Sequence, residues 1–122
     1  MNHKQAIAKA NSLAVSTNKE NLLDSMLITD FFNKVMKTED IPLCQKVHKV
    51  IGKMVVDCIN HWHRDSRWRD FMDKGLFTLD DPTKQVGDMV SFGRMVGVVR
   101  KIEGKIFIVH MTDGQDLPFI AE

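Results

Sequence analysis

Cys44, His48, Cys58, His61 and His63 are the residues whose types best suit metal chemistry, because zinc prefers thiolate and imidazole ligands and pairs three or four apart chelate from one helix. Their spacing opposes that use. On a continuous helix the Cys44/His48 and Cys58/His61 pairs lie about three turns apart, and only a sharp break near Gly52 would bring together the four ligands of a tetrahedral site. Cys58 also falls on an apolar stripe, where a free cysteine behaves as a small buried hydrophobe. Across a straight helix the two cysteines are separated by about 21 Å, against the roughly 7 Å a disulfide tolerates, so reduced thiols are expected, and with them a cytoplasmic setting. No metal or cofactor is expected.

Acid–base chemistry has one candidate. His110 lies near Asp113 and Asp116 in sequence, but a lone strand histidine is more often structural, and catalysis needs a nucleophile, a base and an orienting group. The chain has no Gly-rich phosphate loop, Gly-x-Ser-x-Gly elbow or His-Glu-x-x-His pattern. A non-enzymatic role is the expectation.

The run from His61 to Arg69 mixes cations with two indoles, the residue types that neutralise phosphates and stack bases. A plainer reading competes with it. Trp62 and Trp68 complete a core, while Arg64, Arg67 and Arg69 pair with Asp65, Asp70 and Asp73 on a solvated face. Arginine and tryptophan are also enriched at protein-interface hot spots. Lys46, Lys49 and Lys53, with Lys34 and Lys37, would extend a positive surface or merely keep a helix soluble. The expected contact residues are Arg64, Arg67, Trp68 and Arg69 at the end of a helical unit, with Arg94, Arg100, Lys101 and Lys105 on a sheet and its turns.

Charge gives no global field, since 17 Lys plus Arg oppose 16 Asp plus Glu for a formal net charge of +1. Through Gly75 there are 12 basic and 9 acidic residues, and from Leu76 onward 5 and 7, so a basic patch on the first part is permitted. Hydrophobic content of 43% with 27% charged residues describes a chain that folds. No apolar run suits a signal peptide or a membrane helix.

These residues must be positioned by two kinds of element. Lys4 to Val15 predicts a short helix, and Thr17 with Glu20 predicts a capping box for a second, whose apolar residues recur from Leu22 to Met36. A third helix is expected from about Pro42 to His63. Asp65-Ser66 then caps a final turn or two in which Trp68, Phe71 and Met72 face inward before Gly75. Leu76 to Val86 reads as a connector.

From Gly87 to Phe119, apolar runs are cut by Phe92-Gly93, Glu103-Gly104 and Asp113-Gly114, strong hairpin signals. Strands are expected near Asp88–Phe92, Arg94–Ile102, Lys105–Thr112 and Gln115–Ile120, with Pro118 making the last an edge strand. Ile106, Ile108 and His110 share one sheet face, and Phe107, Val109 and Met111 the other. The fold class is therefore α+β: a bundle of three to four helices over residues 1–75, a connector over 76–86, and a four-stranded antiparallel meander over 87–122. Such a short sheet is expected to share a core with the helices.

The segment from Val86 to Ile102, with its Gly87-Asp88-Met89-Val90 strand, turn, and Gly97-Val98-Val99 strand, resembles the opening of small SH3-like barrels of the KOW and Tudor type. That resemblance implies an SH3-like or partly open barrel and a surface for RNA, protein tails or a polymerase-like partner. The whole chain is similar in size and plan to phage-encoded or mobile-element accessory proteins that regulate or inhibit host machinery. The function expected is docking onto a larger protein or nucleoprotein complex. Direct RNA or DNA binding, or a structural subunit of an assembly, are the alternatives.

Overall fold

The computed structural model describes residues 2–121. Four helices precede five strands, the α+β arrangement expected. Contacts divide the chain into two compact units, one through Arg69 and the other from Asp70, with the boundary inside the fourth helix.

In the first unit, α1 (His3–Ser16) starts from a capping box in which the Asn2 side chain accepts from the Gln5 amide at 2.8 Å and Gln5 Oε1 accepts from the Asn2 amide at 3.2 Å. The box expected at Thr17 and Glu20 does not form. Thr17 is instead the C-cap of α1, and Asn18 to Glu20 make a turn, so Asn21 caps α2 (Leu22–Lys37) through Asp24 N–H.

Asp40 caps α3 (Ile41–Trp62), accepting from Leu43 N–H at 3.2 Å, and Pro42 sits in the first turn where its missing donor costs nothing. His3 Nε2 lies 2.5 Å from Asp40 Oδ2, and this bond holds the Asp40 carboxyl below its ordinary value. Leu43, Val47, Ile51, Val55 and Cys58 form the buried stripe of α3, which packs against α1 and α2. The far end of α3 is tied down by Trp62 Nε1, which donates to Lys19 O at 2.7 Å. Burial pushes the Cys58 thiol up, as befits a core cysteine.

Asp65 sets the start of α4 (Ser66–Lys74) by accepting from Arg67 N–H at 2.8 Å. Trp68 and Phe71 are buried as expected, but Met72 is 43% exposed. Arg67 is buried instead, with Asp65 accepting from its Nε and NH2. Gly75, at φ +87°, closes the helix with its N–H on Phe71 O.

The second unit holds one five-stranded mixed sheet, not a four-stranded antiparallel one. The additional strand, β1 (Phe77–Leu79), lies within the stretch read as connector. It is followed by β2 (Met89–Phe92), β3 (Met95–Glu103), β4 (Ile106–Met111) and β5 (Asp116–Ala121). The order is β1-β5-β4-β3-β2, with β1 parallel to β5 and the other pairs antiparallel. All three expected hairpins are present.

Pro118 is therefore on an interior strand, not an edge. Ala121 N–H donates to Lys105 O and Met111 N–H to Gln115 O, so along the β4/β5 ladder the odd-numbered residues exchange bonds. Pro118, opposite Ile108, falls between those bonds and just before the residues that pair with β1, so no donor is missed.

Phe107, Val109 and Met111 are the buried face, in line with Val90, Val99, Leu117 and Phe119. The sheet curls into a half-barrel. In a flat sheet the two edge strands would stand about 19 Å apart, four spacings of about 4.8 Å. Here the Phe77 ring on one edge strand lies 4.3 Å from the Phe92 ring on the other, and both meet Phe119. Gly97 permits tight packing inside the curl: a β-carbon there would sit 2.6 Å from Val109 Cγ1 and 2.9 Å from the His110 carbonyl oxygen.

Candidate functional site

The outer face of the sheet carries the most organised exposed side chains. Met89, Val98, His110 and Asp116 form a row across β2, β3, β4 and β5. Period-two alternation alone would put Arg100 on this face and Lys101 on the other. A bulge changes that: Val99 pairs with Val109 and Lys101 with Ile108, leaving Arg100 as the extra residue. Register then places Lys101 on the outer face too, beside Arg100.

Asp116 organises this row. Its side chain is 15% exposed, and its two oxygens accept from Arg100 NH1 at 2.8 Å and lie 2.7 Å from His110 Nδ1. The carboxylate is thus the sheltered member, and the two exposed side chains it holds are presented to solvent. Beside them, Val98 and Met89 remain 43% and 64% exposed. Lys101 pairs with Glu103 at 2.6 Å. The cations of this face are balanced locally by carboxylates.

The arrangement suits recognition through oriented hydrogen-bond donors flanked by apolar surface. The hollow next to it is lined by Val98, Arg100 and His110.

Comparison with known protein families, curated proteins and solved structures gives no match.

The remaining contact residues expected from the sequence are dispersed. Arg94 and Lys105 each occupy the second position of a two-residue turn, after Gly93 and Gly104, both at φ +58°, and those turns cap opposite ends of the sheet. Arg64 and Arg69 are exposed on the first unit. Arg67 and Trp68 are a correction: at 9% and 1% exposure they belong to the interior and offer no docking surface. The Arg67 fork closes on Asp65 through Nε at 3.1 Å and NH2 at 2.8 Å, and this bond holds the Asp65 carboxyl below its ordinary value.

Lys46, Lys49 and Lys53 are exposed along one side of α3 and make no ion pair with any described residue. Among the described residues, no group of three or more His, Cys, Asp or Glu side chains is placed to hold a metal ion, and no helix is long and apolar enough to cross a membrane.

The sequence reading passed over Met89, Val98 and Asp116 as contact residues. Alternation along β4 put His110 on one face with Ile106 and Ile108 without saying which face is buried, and nothing in the residue types marks the bulge that gathers Arg100 and Lys101.

Proposed function

We propose that the chain is a non-enzymatic binding protein that docks onto a larger protein or nucleoprotein complex through the outer face of its sheet and modulates that complex. The supporting observation is the sheltered Asp116, which orients Arg100 and His110 beside exposed Val98 and Met89. A phosphate lattice calls for net positive charge, whereas here the arginine and lysine each already have a carboxylate. Charge balance with exposed apolar groups favours a protein surface.

The test is affinity capture from a native lysate with and without nuclease, comparing the wild type with Val98→Asp and Arg100→Glu. A nuclease-resistant protein retained by the wild type and lost with both variants is the expected result. Recovery of nucleic acid alone, unaffected by these variants, overturns it.

A second reading, direct RNA or DNA binding, is favoured by the unpaired lysines of α3. Replacing Lys46, Lys49 and Lys53 with glutamine would then flatten the dependence of log binding constant on log salt, by about 0.7–0.9 for each phosphate no longer neutralised.

A further inference from the structure

The strand order leaves β1 and β2 as the two edges of the sheet, and its curl brings them to a common seam. Phe77 and Phe92 touch at one end. Beyond them the seam holds a slot of about 560 Å³, whose walls include Thr78, Asp80 and Asp81 on one side and Met89, Ser91 and Phe92 on the other.

The ladders show which main-chain groups face this slot. Val99 N–H donates to Asp88 O at 2.9 Å, so the even-numbered residues of β2 bond to β3, and Met89 and Ser91 turn their N–H and C=O groups to the seam. On β5 the odd-numbered residues bond to β4, which leaves Ile120 to bond the residues on either side of Thr78. Thr78 therefore turns its own N–H and C=O outward into the same seam. A pair of unpaired strand edges is a template for another extended chain.

The charge of the site selects among such chains. Asp80 and Asp81 line the slot against one cation, Lys84, and from Asp70 onward the chain has 9 acidic residues to 6 basic. Asp81 engages Thr83 through one oxygen, whereas Asp80 makes no ion pair with a described residue.

We propose that the seam is a peptide-binding slot in which an extended, lysine- or arginine-bearing segment of a partner protein pairs with the open edge of β2 at Met89 and Ser91, its cation meeting Asp80 and Asp81. This site is separate from the Arg100 and His110 pair. The main chain supplies the pairing, and the aspartates supply the preference for a basic side chain.

The test is an NMR titration of the full chain with an acetylated and amidated octapeptide alternating lysine and valine, against the same peptide with glutamate for lysine. The amides of Thr78, Met89 and Ser91 are expected to shift and to exchange more slowly, with the glutamate peptide at least about tenfold weaker. Ser91→Pro removes a donor that lies off the β2/β3 ladder, and is expected to weaken binding by about fivefold to tenfold, the loss of one hydrogen bond. Asp80→Lys, at an exposed position, carries the test without risk to the ladder: it should weaken the lysine peptide and favour the glutamate one. The proposal is overturned by an unresponsive seam at millimolar peptide, by shifts centred on Arg100 and His110, or by seam signals that follow protein concentration instead of peptide, which would put a second copy of the chain in the slot.

Discussion

Arg67 and Arg100 each place a guanidinium nitrogen 2.8 Å from an aspartate oxygen, but the burial of the partners is reversed. At the junction of α3 and α4 the arginine side chain is 10% exposed, and its fork is closed on Asp65. On the sheet the arginine is 64% exposed and the aspartate is the sheltered member. The same ion pair thus supports the interior in one place and displays a cation in the other. Which partner is desolvated decides the role.

Removing Arg67 should break that comparison most visibly. Arg67→Ala leaves the Asp65 carboxylate without its fork inside the junction and should cost about 3 kcal/mol in urea unfolding. Next in size is Gly97→Val, which forces a side chain against Val109 and the His110 backbone; overpacking of this kind costs about 2 kcal/mol, read as a lowered unfolding midpoint.

A smaller effect at Asp65 is read by pH. Because Arg67 holds the folded Asp65 carboxyl below its ordinary 3.8, the pair stabilises the fold fully above that value and loses this contribution as pH falls through the lower folded value. Urea midpoints for the wild type should therefore fall more steeply below pH 4 than those of Asp65→Asn. The smallest effect on stability belongs to Arg100→Ala, expected within about 0.5 kcal/mol of wild type because the pair is largely solvated on the arginine side. Partner capture should suffer in the same variant. A cost matching that of Arg67→Ala would erase the distinction between the two pairs.

Much of this arrangement was legible in the residues. The helices announced themselves through apolar spacing, Pro42 and the Asp65-Ser66 cap, and the hairpins through Gly93, Gly104 and Gly114, because these signals are local. What escaped was set by partners remote in sequence. Phe77 to Leu79 shows no hairpin signal because it pairs in parallel with Phe119 to Ala121. Arg67 is buried because a carboxylate two residues away makes an arginine acceptable inside, which apolar spacing alone does not register. The candidate face was hidden for a third reason: counting back from the Gly104 turn pairs His110 with Val99, and only the extra Arg100 restores Val98 to that position.

The position of β5 between β1 and β4 has a consequence for the order in which the sheet assembles. The hairpins joining β2 to β5 close over short stretches of chain, while β1 must wait for residues about 40 positions later before its first rung can form. Closing so long a loop carries an entropic cost that local pairing avoids, and contacts of this kind slow folding. On a ribosome, Phe77 would emerge well ahead of Phe119 and remain an unpaired apolar segment until synthesis reached its partner, making β1 the strand whose capture finishes the sheet.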